Sequence, residues 1–98
     1  MRYIIKTKCL SKIAEFYRNV SKKYKHTYSA PLMHKNMEDA TNAMYKIEQS
    51  LIRRKPTITR WQQQGWHMAN AGQWYYAYTI NGDTITIQDA CHQQNMHE

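Results

Sequence analysis

The chain has 98 residues, enough for one domain with a single hydrophobic core, and we predict one domain over residues 1–98. Charged residues make up 21% of it and apolar residues 42%, a balance that excludes a disordered chain. No apolar run approaches the roughly 18 residues of a membrane span, and the short, charged start Met1–Lys6 is unlike a signal peptide. We therefore expect a cytoplasmic protein without a membrane partner.

The net charge of +7 is unevenly distributed along the chain. All 14 Lys and Arg residues lie at or before Arg60, with four acids among them, whereas residues 61–98 hold three acids and no Lys or Arg. A basic surface of this size favours polyanions such as nucleic acid, the ribosome or an acidic protein. Solubility alone is the simpler alternative.

The first half of the chain predicts one strand and two helices. Arg2–Lys8 alternates like a strand, and Ser11 is a suitable N-cap for a helix that ends near Tyr24. The second helix is predicted over residues 36–53, with Asn36 as its N-cap. Its apolar stripe consists of Met37, Ala40, Met44, Ile47 and Leu51. Pro31 indicates a loop or the start of this helix, and residues 57–64 are ambiguous.

The C-terminal third predicts a three-stranded meander from Trp66 to Ala90. A two-residue Asn81–Gly82 turn places Tyr78 opposite Ile85 and Tyr76 opposite Ile87. One face of this hairpin then carries Trp74, Tyr76, Tyr78, Ile85 and Ile87. A three-residue loop, 70–72, joins it to the strand Trp66–Ala69 and puts Met68 opposite Trp74, on the same face.

These elements predict an α+β fold in the order β-α-α-β-β-β. Two amphipathic helices packed on one face of an antiparallel-rich sheet would cover the apolar side of the meander.

No motif for metal or cofactor chemistry is present. The sequence lacks a Walker loop, a glycine-rich nucleotide fingerprint, an HExxH pair and a nucleophile elbow, so we predict no cofactor. Cys91, His92 and His97 lack the paired spacing of a zinc site, and no metal is predicted. Cys9 and Cys91 are expected to be thiols rather than a disulfide.

Three kinds of residue could act on RNA. His92, at the end of the last strand and three residues after Asp89, could act as general acid or base, although a surface or capping histidine is the simpler interpretation. Trp61 or Tyr75 could stack a base, and both could equally be core or rim residues. The candidates for holding phosphate are Lys6, Lys8, Arg53, Arg54, Lys55 and Arg60.

The element order and the ending Gln73–His92 resemble the RelE/ParE toxin superfamily. Its members share a short first strand, a helical hairpin and a Tyr-x-Ile-x-Gly-Asp-x-Ile-x-Ile meander ending near a histidine, and residues 78–87 here read Tyr-Thr-Ile-Asn-Gly-Asp-Thr-Ile-Thr-Ile. The resemblance implies a basic toxin neutralised by an acidic antitoxin. It also implies cleavage of mRNA on the ribosome, where a base takes the 2′-hydroxyl proton and basic residues hold the phosphate.

On this resemblance, the candidate catalytic residues are His92, which matches the terminal histidine of some RelE-like nucleases, together with Arg60 and Asp89. The candidate RNA-binding residues are Lys6, Lys8, Arg53, Arg54, Lys55 and Trp61. The sequence departs from the family in one respect, because the strands from Trp66 to Ala90 carry no Lys or Arg. A non-catalytic member, a gyrase-directed ParE-like toxin and a basic RNA- or DNA-binding module of the same fold therefore stay open as alternatives.

Overall fold

The computed structural model describes residues 2–24, 27–47 and 59–95. Its elements in chain order are β1 (Arg2–Ile5), α1 (Thr7–Lys23), α2 (Ala30–Met44), α3 (Thr59–Gln63), β2 (His67–Ala71), β3 (Trp74–Asn81) and β4 (Thr84–His92), followed by a 3-10 turn, Gln93–Asn95. No helix among these residues is long and apolar enough to cross a membrane.

The four strands form one mixed sheet in the spatial order β1-β4-β3-β2. The strands β2, β3 and β4 form the predicted antiparallel meander, while β1 lies parallel to β4, with Tyr3 opposite Ile85. The α+β class is therefore confirmed. The predicted packing of the two main helices on one face of the sheet is also confirmed, since the main core lies between them and that face. The predicted element order was incomplete, because it lacked α3.

The main core lies between the helices α1 and α2 and one face of the sheet. The five predicted apolar residues of the hairpin, Trp74, Tyr76, Tyr78, Ile85 and Ile87, all belong to this core. Two buried polar groups find partners in it, since Tyr76 Oη donates to the carbonyl of Ala40 (2.7 Å) and Trp74 Nε1 donates to Tyr17 Oη (3.0 Å). Buried side chains are thus packed without leaving these donors unpaired.

Both helices begin earlier than predicted. Ser11 does not cap α1, because the chain turns directly after β1: Lys6 N–H donates to the carbonyl of Ile87, and Cys9 N–H donates to the carbonyl of Lys6. Asn36 does not cap α2, because Ser29 Oγ accepts from Leu32 N–H at 3.2 Å, with Pro31 in the first turn. The second helix was predicted to extend to residue 53, but α2 ends at Met44 with Tyr45 as its C-cap, so this end was predicted wrongly; residues 48–58 lie outside the described residues.

Both predicted loops of the meander were placed wrongly, with different consequences, although the two-residue length predicted for the loop between β3 and β4 is confirmed. The loop between β3 and β4 consists of residues 82–83, which moves the pairing by two positions, so that Tyr78 lies opposite Ile87 and every side chain keeps its face. The loop between β2 and β3 consists of residues 72–73, and Met68 lies opposite Ala77 instead of Trp74. This second shift moves Met68 to the other face of the sheet.

A small second cluster occupies that other face. Trp61 of α3 is fully buried there against Met68, Ala77 and Cys91. Two half-buried aromatic residues, Trp66 and Tyr75, pack at its margin. The short helix α3 therefore covers the side of the sheet opposite to α1 and α2.

Candidate functional site

The candidate site is built around the Asp89 carboxylate, whose side chain is only 3% exposed. It accepts hydrogen bonds from Lys12 Nζ (2.6 Å) and Trp61 Nε1 (2.8 Å), and Arg60 Nε lies 3.6 Å away. A buried carboxylate with two cations and an indole donor is fully compensated. We call Lys12 and Arg60, which this carboxylate holds, the cation pair.

An irregularity in β4 places Asp89 in this position. Pairing passes from Tyr78 opposite Ile87 to Ala77 opposite Asp89, so Gln88 is an extra residue in β4. A bulge of this kind reverses which face the following side chains take. Consequently Ala90 joins the main core, whereas Cys91 joins the cluster around Trp61.

The pKa of Asp89 lies below its usual value. Burial raises it, but the hydrogen bonds from Lys12 and Trp61 and the charge of Lys12 together outweigh that effect. Asp89 therefore stays ionised at neutral pH and is a weak base. Its chemistry in this structure is to hold the cation pair in place.

His92 lies at the end of β4 and is 3% exposed. Its ring stacks on Phe16 of α1, with centroids 4.0 Å apart and planes at 14°, and meets Trp74 edge-on at 5.2 Å. Its Nδ1 accepts from the backbone N–H of Gln94 (3.2 Å), and its Nε2 lies 3.2 Å from Gln73 Oε1. These partners assign the proton to Nε2, which donates to the Gln73 oxygen.

Burial lowers the pKa of His92, because it disfavours the positively charged form of the ring. The neutral ring is therefore the form that this environment favours at neutral pH. With Nδ1 occupied by the Gln94 N–H, the ring can take up a proton from a substrate only after that hydrogen bond opens.

The cation pair and His92 line one cavity, which we call the first cleft. Its volume is about 370 Å³, and it lies between α1 and the end of β4. Lys12 and Arg60 are 41% and 47% exposed although Asp89 holds both, so they face solvent at this cleft. The other lining residues include Glu15, Phe16, Asn19 and Trp74.

The predicted catalytic residues thus come together, since His92 and Arg60 line the first cleft and Asp89 pairs with Arg60. Of the predicted RNA-binding residues, Trp61 contacts Asp89, whereas Lys6 and Lys8 do not line the first cleft. Lys6 and Lys8 lie at the start of α1, where Lys8 Nζ is 5.6 Å from the centroid of the Trp66 ring. Arg53, Arg54 and Lys55 lie outside the described residues.

Trp61 differs most from the prediction. The ring is fully buried and its N–H donates to Asp89, so it offers no open face on which a base could stack. The other stacking candidate, Tyr75, is half-buried beside it.

Sequence reasoning missed Lys12, Glu15 and Gln73. Lys8 and Lys12 are four residues apart on α1 and so share a helix face, which was a usable signal. The pairing of Lys12 with Asp89, however, joins residues 77 positions apart and depends on the parallel alignment of β1 with β4. The role of Gln73 beside His92 depends on the position of the loop between β2 and β3, which was predicted wrongly.

The fold and the first cleft define a class: a small α+β domain with a cation pair held near the end of an inner strand, β4, of a mixed sheet. Within the described part of the chain, no three His, Cys, Asp or Glu side chains come together to hold a metal ion. No protein-family model matches the chain, and no curated protein matches it either.

We predict that the stability of the protein falls as the pH drops below the usual histidine pKa of 6.5. The reason is that His92 takes up a proton more readily in the unfolded chain than in the folded one. In His92→Gln, which loses the stacked ring and about 1–2 kcal/mol at pH 7, this part of the pH dependence should disappear. Urea unfolding between pH 5 and pH 8 measures both effects.

His34→Gln, at an exposed position of α2, is the matched control and should keep the dependence of the wild type. If His92→Gln and the wild type lose the same stability over this range, the neutral, buried ring is not its source.

Proposed function

We propose that this protein is a toxin of the RelE/ParE kind that binds RNA through its phosphates in the first cleft and cleaves it. One observation carries the proposal: a buried carboxylate, Asp89, holds two half-exposed cations, Lys12 and Arg60, at a cleft that His92 also lines. The order of β1, the helices and the meander, together with the Gly-Asp hairpin before His92, supports the family resemblance.

The cation pair at the first cleft is arranged to hold a phosphate. Lys12, Arg60 and Asp89 together carry a net charge of +1, which Glu15 in the cleft wall brings to zero, so directed donors rather than net charge would bind the anion. Asp89 fixes these donors in advance of binding. An ammonium has three N–H donors and a guanidinium has five, so each can serve Asp89 and an anion together. Such preorganised donors stabilise charge that develops on a phosphate during reaction.

In the proposed reaction the 2′-hydroxyl of the RNA gives its proton to His92 Nδ1, and its oxygen bonds to the adjacent phosphorus. The bond from phosphorus to the 5′-oxygen breaks, that oxygen takes a proton from a solvent water, and His92 returns its own proton to the resulting hydroxide. His92 can serve as the base once the Gln94 N–H, in the 3-10 turn that follows β4, has moved from Nδ1 and the buried ring has become accessible to the substrate.

A second candidate function is a non-catalytic toxin of the same fold, such as a gyrase-directed ParE-like member. The observation that favours it is that both nitrogens of His92 are hydrogen-bonded within the protein and the ring is buried. In either case, the net charge of +7 suits an acidic antitoxin as the neutralising partner. The ribosome is the proposed site of action of the cleaving form.

Inducible expression in bacteria tests the proposal. We expect the wild-type protein to arrest growth and to produce mRNA cleavage sites that 5′-end mapping detects. The variant Lys12→Met/Arg60→Met should lose both effects. The control Arg18→Met/Lys22→Met removes the same charge from exposed positions of α1 outside the cleft, and it should keep both effects.

His92→Gln separates the two candidates, since glutamine can occupy both hydrogen bonds but cannot act as a base at neutral pH. Arrest and cleavage that are lost in this folded variant support the nuclease. Growth arrest without mRNA cleavage, unchanged in His92→Gln, supports the non-catalytic toxin. Wild-type expression without growth arrest overturns the toxin assignment.

A further inference from the structure

A second cleft, of about 470 Å³, adjoins the first one. The two share a wall formed by Phe16, Asn19 and His92. The volume of the second cleft lies within the range of small-molecule binding sites. A ligand with two chemically different parts could therefore occupy both clefts, one on each side of the Phe16–His92 stack.

The two clefts differ in chemistry. The first has the cation pair, whereas side-chain amides and a phenol line the second: Asn36, Gln73, Gln94 and Tyr28. Asn36 Nδ2 donates to Tyr28 Oη at 2.6 Å, and Gln73 Oε1 accepts from His92, so these three lining side chains are oriented by hydrogen bonds. Amides place a donor beside an acceptor, the pattern that the edges of nucleobases also present.

An aromatic ring lies at the rim of the second cleft. Tyr24, the C-cap residue of α1, is 50% exposed, and Lys23 Nζ is 5.5 Å from its ring centroid. Both residues line the cleft. A half-exposed ring next to a cation is the arrangement on which single-stranded nucleic acids stack their bases.

We propose that the second cleft binds the nucleobase of a nucleotide whose phosphate lies in the first cleft. The inference rests on the proposed function for the position of the phosphate. The base stacks on Tyr24, its edge meets the amides of Gln73 and Gln94, and the ribose spans the wall at Phe16 and His92. The ligand is thus a nucleotide, either within a single RNA strand or free in solution.

Binding of fluorescently labelled RNA hexamers tests this inference. An abasic hexamer of equal length and charge reports the phosphate contacts alone. We expect the wild-type protein to bind a base-containing strand about tenfold more tightly than the abasic strand, as one stacked base would give. Tyr24→Leu should remove most of this difference and leave binding of the abasic strand unchanged.

Two control variants match the two kinds of contact. Tyr45 is the C-cap residue of α2, as Tyr24 is of α1, and it is equally exposed (51%). It lies outside the second cleft, so Tyr45→Leu should behave as the wild type. Gln94→Ala should change the relative affinities for A, U and C strands. Gln93→Ala, one residue earlier and outside the cleft, should not change them.

A titration with uridine and adenosine monophosphates, followed by the NMR signals of the Gln73 and Gln94 amides, distinguishes the sources of the ligand. Binding of strands with the expected base dependence assigns the cleft to RNA. Binding of monophosphates without binding of any strand would support the base site and assign it to a free nucleotide. The same result would contradict the proposed function. Equal affinity for base-containing and abasic strands overturns the base site alone, and no binding of either ligand overturns both proposals.

Discussion

Replacing Trp61 with alanine is expected to lower the free energy of unfolding by about 3–5 kcal/mol. The ring is fully buried and fills most of the second cluster between α3 and the sheet. Its loss also removes the indole donor, 2.8 Å from Asp89, from a buried carboxylate. A domain of this size has a total stability of about 5–15 kcal/mol, so the variant should be close to unfolding. Urea denaturation measures the change.

Trp66→Ala is the matched control, because Trp66 belongs to the same cluster but is only half-buried. We expect a loss clearly smaller than that of Trp61→Ala. Equal losses for the two variants would contradict the central position of Trp61 in the cluster.

The second large effect is expected for Asp89→Asn, which should cost about 2–3 kcal/mol at pH 7. An amide of the same shape keeps one acceptor for the Trp61 N–H but removes the charge that holds the cation pair. Lys12 and Arg60 are half-exposed and regain water, which keeps the loss below that of an isolated buried charge. Asp83→Asn, in the exposed loop before β4, should leave stability nearly unchanged.

The pH dependence of this effect has a definite sign. The pKa of Asp89 in the folded protein lies below the usual 3.8, so its contribution is complete above about pH 5 and decreases as the pH falls through 3.8 and below. The difference between wild type and Asp89→Asn should therefore shrink in acid. A difference that stays constant from pH 7 to pH 2 would show that the carboxylate charge does not stabilise the fold.

Sequence patterns predicted the elements and the faces of the main hairpin, because apolar alternation is a local property. The Asn81–Gly82 signal located the hairpin but not its loop. Among the described residues, positive φ angles occur only at glycines, with Gly82 at 62°. Asn81, which has a negative φ, pairs with Thr84 as the last residue of β3, and Gly82 is the first residue of the loop. This is the arrangement of hairpin turns that need a positive φ only at their first central position.

The candidate site could be predicted only in part. His92 and Arg60 could be predicted because local features mark them. His92 is a histidine at the end of a strand, and Arg60 is the last cation of the chain. The environment of Asp89 depends on one extra residue, Gln88, in β4, and nothing local marks that bulge. Without it, Asp89 would lie on the same face as Ile87 instead of meeting Trp61.

The predicted start of α1 was wrong for a related reason. The start of α1 is set by Lys6 N–H bonding to Ile87, a partner 81 positions away, and not by a capping side chain within the helix. Lys12 consequently lies in the second turn of α1, where it reaches Asp89. With a helix starting at Ser11, as predicted, it would have been a solvated lysine of the first turn.

The salt dependence of RNA binding tests the central claim most directly, namely that the cation pair held by Asp89 binds RNA phosphates. For single strands, each phosphate contact contributes about 0.7 to the slope of log K against log salt concentration. We expect Lys12→Met/Arg60→Met to reduce the magnitude of that slope by about 1.4, for two lost contacts, and the control Arg18→Met/Lys22→Met to change it little. Equal reductions in the two double variants, or a slope unchanged by the loss of Lys12 and Arg60, would contradict the account.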